Sequence, residues 1–179
     1  TESPLGIDVK SFVAASSDPQ VKEIFVDFNV EEGTRASLDF YQKLISNGTL
    51  YQPRDAKKDF EAIVNVKPMM TPSFIEALEK DIAEKGKFNL FPVTDDEGVI
   101  LKSGDKELKP AGAPISTVWP NNVTVHGEYL VINGYTESAF YGENIDGLTL
   151  AYNWQIFAIP SGESSWHIKG LTYSNLETK

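Results

Sequence analysis

The sequence has no cysteine and very little arginine, and both absences restrict its chemistry. Without cysteine the 179 residues can form no disulfide, no thiolate metal site and no thiol nucleophile. The two arginines, Arg35 and Arg54, are too few for a cluster that holds phosphate groups through paired hydrogen bonds. Kinases and nucleotide hydrolases are therefore excluded from the functions that we expect.

Basic stripes and long apolar runs are also missing. The formal net charge of −10 opposes binding to nucleic acid and to anionic membranes, because both require clustered basic side chains. No apolar stretch reaches the roughly 20 residues that a membrane-spanning helix needs. We therefore expect no nucleic-acid partner, no direct membrane binding and no cofactor.

The residues that are present have the composition of one folded domain. Apolar residues make up 41% of the chain and aromatic residues 11%, which suffices for a buried core. Residues 1–17 are mostly small and polar and are predicted to be a flexible leader with about one turn of order, so the domain spans 18–179. Because the chain begins with Thr1, we expect a removed signal or anchor, or a trimmed chain. The expected source is an exported bacterial protein, either secreted or attached to the cell surface as a lipoprotein.

Apolar residues at helical spacing predict helices over 34–46, 55–64 and 72–85. Thr34 is the predicted cap of the first helix, and Thr71 that of the third. The apolar stripes are Leu38, Tyr41, Leu44 and Ile45, then Phe60, Ile63 and Val64, then Phe74, Ile75, Leu78 and Ile82. The predicted stop signals are Asn47-Gly48 and Gly86.

The segment from Asp18 to Phe28 has two readings. Asp18 as N-cap, with Pro19 at the first helical position, would begin a helix. The alternating apolar residues from Ile24 to Val30 fit a strand equally well. The sequence leaves both readings open.

Beyond residue 86 the apolar period changes from that of a helix to that of a strand. Residues 87–114 hold many turn signals and predict a loop-rich hairpin or insertion. Strands are then predicted from Ile115 to a tight turn at His126-Gly127-Glu128, over 129–138, over 148–156 and over 165–173. Helices followed by strands predict an α+β fold, with the helices packed on one face of a curved antiparallel sheet that leaves a concave face.

Two C-terminal segments and two helical motifs resemble a known superfamily. VTVHGEYLVINGYTES and LTLAYNWQIFAIPSGESSWHIKGLTYS contain long strands and a short glycine turn, and they end in Trp166-His167-Ile168 and Tyr173. Phe40-Tyr41 and Met70-Thr71-Pro72-Ser73-Phe74 lie in the preceding helices. Over residues 34–175 this pattern resembles the NTF2-like (SnoaL, cystatin-cone) superfamily, and in particular its extracytoplasmic members. The resemblance implies a cone-shaped α+β fold and a function as an isomerase, a dehydratase or a non-catalytic binding module.

Acid–base chemistry would depend on His126, His167 or a carboxylate in the cone. The resemblance implies a tyrosine donor beside the base, for which Tyr41 and Tyr51 are candidates. His167 faces solvent if its neighbour Trp166 faces the core. No acidic residue is predicted in mid-strand on an apolar face, so we expect no catalytic residue. The acids of the strand region lie at predicted turns or strand ends and are Glu128, Glu137, Glu143 and Asp146.

Two further motifs are given structural explanations. Asp95-Asp96-Glu97 and Asp105 offer oxygen ligands, but the spacing is not that of a calcium loop, and we expect no metal site. Asn47 and Asn122 begin Asn-x-Thr sequons, and they are interpreted as a helix stop and a turn residue.

Aromatic residues concentrated on the predicted strands form the candidate binding site. The residues predicted to bind a ligand are Trp119, Tyr129, Tyr135, Tyr152 and Trp154. We expect a non-enzymatic binding or assembly domain that takes a protein partner or a small apolar ligand on the concave face, with a homodimer through the sheet as a third reading. The alternative is a cofactor-free lyase or isomerase with an acid–base site in the cone cavity.

Overall fold

Helices come first and strands follow in the computed structural model, which describes residues 6–46, 64–85, 102–103, 106–107, 115–142, 145–162 and 165–178. The helices are α1 (Val9–Ser16), α2 (Pro19–Ile24), α3 (Val30–Ser46) and α4 (Pro72–Lys85), with a 3-10 turn at Lys67–Met69. The strands are β1 (Lys102–Ser103), β2 (Lys106–Glu107), β3 (Ile115–His126), β4 (Tyr129–Gly142), β5 (Ile145–Pro160) and β6 (Trp166–Thr178).

The main sheet is an antiparallel meander in the order β3-β4-β5-β6. Each strand pairs with its neighbour in the chain, so β3 and β6 are the edges. The predicted tight turn joins β3 to β4, and Gly127 in it has a φ of 62°, which glycine adopts without strain. The short strands β1 and β2 pair antiparallel within the segment predicted to be a hairpin or insertion.

The helices pack on one face of this sheet, which confirms the predicted α+β class. Helix α3 crosses β4, β5 and β6, while α1 and α2 lie against β3 and α4 against β6. Buried apolar side chains of α3 meet those that alternate along the strands. The largest fully buried side chains are Trp154, Tyr41, Tyr152, Phe40, Leu38, Leu44, Leu130 and Ile132.

Residues 9–16 were predicted to belong to the leader, but in the structure they form α1. Asp8 caps this helix by accepting a hydrogen bond from the Ser11 amide, and Val9 is buried. Ser17 then forms a parallel bridge with Val123 of β3. The prediction missed α1 because a short helix with few apolar residues depends on tertiary packing more than on its own propensity.

The two readings of the segment after Asp18 are resolved in favour of a helix. The Asp18 carboxylate accepts a hydrogen bond from the Gln20 amide at 2.9 Å, and Pro19 occupies the first turn of α2. The predicted cap at Thr34 is wrong, because α3 begins one turn earlier. The Asn29 side chain accepts from the Glu32 amide at 3.1 Å, and the buried Thr34 hydroxyl donates to the Val30 carbonyl within the helix.

The prediction for α4 is confirmed at its N-terminus. Thr71 Oγ1 accepts a hydrogen bond from the Phe74 amide at 3.3 Å, and Pro72 is the first helical residue. Phe74 and Leu78 are buried, as the predicted stripe requires. The Thr71 amide donates to the Ile168 carbonyl of β6 at 3.0 Å and ties the start of the helix to the sheet.

Some predictions lie outside the described residues. Among them are most of the helix predicted over 55–64, the stop signals, Tyr51, Glu143 and the acidic run that begins at Asp95. Asn122 is described and lies in β3 instead of in a turn, next to a register shift between Pro120 and Asn122.

In the described part of the chain, no helix is both long enough and apolar enough to cross a membrane.

The packing of Trp154 over Gly134 gives a first prediction. The two residues are direct partners between β4 and β5, and a Cβ on Gly134 would lie 2.0 Å from Cζ2 of the indole. Gly134→Ala must therefore displace a fully buried ring, and we expect it to lower the free energy of unfolding by at least about 2 kcal/mol. Chemical denaturation of the purified variant measures this change.

Gly170→Ala is the matched control. Its added Cβ would lie 3.6 Å from the Phe157 side chain, an ordinary contact, so the free energy of unfolding should change by less than about 1 kcal/mol. Equal losses in the two variants would contradict the account of the Trp154 packing.

Candidate binding surface

A hydrogen-bonded cluster of aromatic and hydroxyl side chains lies at the centre of the helix-facing side. The Tyr41 ring stacks on the Trp154 indole with centroids 4.5 Å apart. The Tyr41 hydroxyl is 2.8 Å from Thr136 Oγ1 and 3.0 Å from the Tyr152 hydroxyl, and Trp154 Nε1 donates to Thr136 Oγ1 at 2.9 Å. This cluster joins α3, β4 and β5, and its side chains are buried.

The cluster lacks an acid–base partner among the residues that the structure describes. Besides tyrosine and tryptophan, the buried polar side chains of the described residues are Thr34, Ser37 and Thr136, none of which titrates near neutral pH. A lyase or isomerase site would need a carboxylate or histidine next to the tyrosine donor. Within the described residues, the hydroxyl and indole groups of the cluster form hydrogen bonds with one another.

The two histidines lie apart from this cluster. His126 is exposed at the end of β3 and meets the Phe157 ring edge-on at 6.2 Å between centroids. His167 lies on β6 and shares a 2.6 Å hydrogen bond between its Nδ1 and Ser161 Oγ. Trp166 is buried, so the prediction that His167 faces away from the core is confirmed. With β4 and β5 between their strands, the histidines are about 14 Å apart across the sheet and do not form a pair.

The face of the sheet away from the helices, called the outer face from here on, carries a row of amide and hydroxyl groups. Asn133 Nδ2 donates to Asn122 Oδ1 at 2.8 Å and to Thr124 Oγ1 at 2.9 Å. Thr172 Oγ1 donates to Gln155 Oε1 at 2.8 Å on the other two strands. Asn122, Asn133, Gln155 and Thr172 follow one another in the register, so the row crosses all four strands.

An aromatic pair stands in the next row of the outer face. Trp119 and Tyr135 are direct partners between β3 and β4, and their rings stack with centroids 5.6 Å apart. Trp119 keeps 44% of its surface exposed. The Tyr135 hydroxyl donates to Glu137 at 2.6 Å, and Asn153 continues the row on β5.

A second aromatic group occupies the end of the outer face near the β3–β4 turn. Tyr129 meets Phe157 edge-on at 6.2 Å, and Lys169 Nζ lies 5.2 Å from the Tyr129 ring centroid. A cationic amine over a ring is a favourable contact. This group is separated from Trp119 by the row of amides.

The five residues predicted to bind a ligand are thus divided between two faces. Trp119, Tyr129 and Tyr135 lie on the outer face, whereas Tyr152 and Trp154 are buried on the helix-facing side. The register shift between Pro120 and Asn122 explains the division, because strict alternation from the buried Val123 would turn Trp119 inward. A proline inside a strand pattern marks an edge or a bulge, so Pro120 was the available signal.

A groove that the sequence did not indicate lies between α1, α2 and the start of α3. It encloses about 530 Å³, and apolar side chains such as Val13, Val21 and Phe25 line it. Lys10 and Glu31, of opposite charge, also line it. Because the groove has side chains of both charges around apolar residues, its lining does not indicate a particular class of ligand.

Within the described ranges, no group of three or more histidine, aspartate or glutamate side chains lies close enough together to hold a metal ion.

The fold and these two faces define the chain as an α+β domain with helices on one side of a four-stranded antiparallel meander. The chain matches none of the protein families, curated proteins and solved structures with which it was compared. The resemblance to the NTF2-like superfamily accordingly stays a prediction from the sequence.

The hydrogen bonds of the buried cluster give a second prediction. Thr136→Val keeps the shape of the side chain but leaves the Trp154 Nε1–H without its acceptor in a fully buried position. We expect the free energy of unfolding to fall by about 1–3 kcal/mol, measured by chemical denaturation.

Thr172→Val makes the same chemical change on the exposed face of β6. Water can replace the lost partner of Gln155 there, so the free energy of unfolding should change by less than about 0.5 kcal/mol. If Thr136→Val is tolerated as well as Thr172→Val, the cluster does not stabilise the contact between α3 and the sheet.

Proposed function

We propose that this chain is a non-enzymatic binding domain and that its partner docks on the outer face of the four-stranded sheet. The observation that carries the proposal is an uncharged surface on a protein with a large net negative charge. Charged residues make up 23% of the chain, with a net charge of −10. In the described sheet, the two central rows of the outer face consist of aromatic, amide and hydroxyl side chains, namely Asn122, Asn133, Gln155 and Thr172 in one row and Trp119, Tyr135, Asn153 and Ser174 in the other.

These rows supply what a recognition surface needs. The aromatic ring of Trp119 gives exposed contact area, and the amides of Asn153 and Gln155 give both donors and acceptors. Tryptophan and tyrosine are enriched among the residues that dominate binding energy, and charged residues are depleted at the centre of interfaces. Among the described side chains of this face, the Glu137 carboxylate accepts a hydrogen bond from Tyr135 at one end, and Lys169 contacts Tyr129 toward the other.

The proposal moves binding from the predicted concave face to the opposite one. The helix-facing side of the sheet is where α3 packs, and Tyr152 and Trp154 are buried there. A partner could reach these side chains only by displacing the helix. On the outer face Trp119 is 44% exposed and Thr172 is exposed, so a partner can contact them directly.

Two wider expectations belong to the same proposal. We take the domain to be part of an exported or surface-anchored protein, and to be NTF2-like. Helices that precede an antiparallel meander support the second expectation.

A capture experiment with a matched pair of variants tests the proposal. The immobilised chain is exposed to cell extract and culture fluid of the organism that encodes it, and retained molecules are identified by mass spectrometry. Trp119→Ala should retain at least about tenfold less of the specific partner, because truncation of a central aromatic residue commonly removes more than about 1.4 kcal/mol of binding energy.

Ile24→Ala on α2 is the control. Ile24 is 42% exposed, nearly the same as Trp119, but it lies on the helical layer. It should retain as much partner as the wild type, and both variants should unfold at the same temperature as the wild type. Equal retention of the specific partner by Trp119→Ala and the wild type would refute binding through the outer face. Retention of a second copy of the chain would identify the partner as the chain itself.

A further inference from the structure

The two uncharged rows of the outer face have a composition that selects among classes of ligand. We propose that this surface, called the neutral patch and formed by Trp119, Asn133, Tyr135, Asn153, Gln155 and Thr172, binds an uncharged saccharide. The inference rests on the proposed function, since it names the ligand of the same face.

The amide side chains of the patch keep hydrogen-bonding capacity that the described residues do not use. Asn153 lies between the buried Tyr152 and Trp154, so its side chain points outward, and it has no hydrogen-bond partner among the described residues. Gln155 uses its carbonyl oxygen to accept from Thr172, and its amide nitrogen has no partner in the described part of the chain. Asn133 donates twice and retains an acceptor oxygen. Both donors and acceptors therefore remain on these described side chains, none of which carries a formal charge.

A ligand for these groups must carry hydroxyl groups and also an apolar face. A purely apolar ligand would strip water from the amides and return no hydrogen bond, which is unfavourable. An anionic ligand would approach a protein with a net charge of −10 and find no basic side chain in the patch. A sugar ring satisfies both requirements, because its hydroxyl groups pair with amides and its C–H face packs against an exposed indole such as that of Trp119.

The size of the patch favours a saccharide over a protein. Each row crosses four strands and is about 14 Å wide at a strand spacing of about 4.8 Å, and the rows are about 7 Å apart. Two rows that each take up about 7 Å along the strands cover on the order of 200 Å². A stable protein–protein interface buries about 800 Å² on each partner, and reaching that area here would draw in the charged Glu137 and Lys169. A short oligosaccharide fits within the uncharged area.

Affinity electrophoresis in native gels tests the proposal with named probes. The gels contain a neutral β-glucan, starch, xylan or mannan, and a polyuronate serves as the anionic comparison. At least one neutral polysaccharide should retard the wild-type chain, and the polyuronate should not. Trp119→Ala should raise the dissociation constant of the complex with the retarding polymer at least about tenfold, and Gln155→Ala should raise it about fivefold.

Tryptophan fluorescence gives a second measurement that needs no substitution. The chain has three tryptophans, and Trp154 and Trp166 are buried, so Trp119 is the one that acrylamide can quench readily. A neutral oligosaccharide of the retarding polymer should protect Trp119 from quenching. Ile24→Ala should behave like the wild type in both measurements.

The outcomes separate this inference from the proposed function. If no neutral polysaccharide retards the chain while a protein is captured in a manner that depends on Trp119, the saccharide is refuted and the outer face remains the binding site. If the polyuronate alone retards the chain, or if retardation is unchanged in Trp119→Ala, the inference is refuted as well. Failure of both the capture and the gel experiments would overturn both proposals.

Discussion

The indole of Trp154 is the contact on which the arrangement of this protein depends. It lies against Gly134 on the neighbouring strand, stacks on Tyr41 of α3 and donates a hydrogen bond to Thr136. One side chain thereby joins two strands and the helix that covers them. Because Trp154 must point toward α3, the alternation of the strand places Asn153 and Gln155 on the opposite face. The interior packing and the composition of the exposed face are thus two results of one constraint.

The two faces of the sheet consequently have different chemistry. On the helix-facing side, hydroxyl and indole groups satisfy one another within an apolar core, so the described part of it is built for stability. On the outer face, amides and an exposed aromatic ring remain available to a ligand. The two histidines lie toward the β3–β4 turn end of the sheet, apart from the tyrosine cluster.

Much of the fold could be predicted from local patterns. The α4 cap at Thr71, the tight turn at Gly127 and the outward position of His167 each follow from a few neighbouring residues, and the structure has all three. Helix α1 could not be predicted, because its stability comes from packing on α3 and β3. Thr34 was misassigned as a cap because a threonine hydroxyl can also bond to a carbonyl of the preceding turn inside a helix.

The candidate site shows the same limit. The sequence by itself determined that the second half of the chain is an antiparallel meander rich in aromatic residues, since a period of two and its turn signals are local properties. It could not determine that Trp119 and Trp154 lie on opposite faces. That depends on the register shift beside Pro120 and on how each strand pairs with the next, and both are decided only when the sheet packs against α3. The neutral patch is therefore a product of the tertiary structure, because its members come from four strands and adjoin only in the assembled sheet.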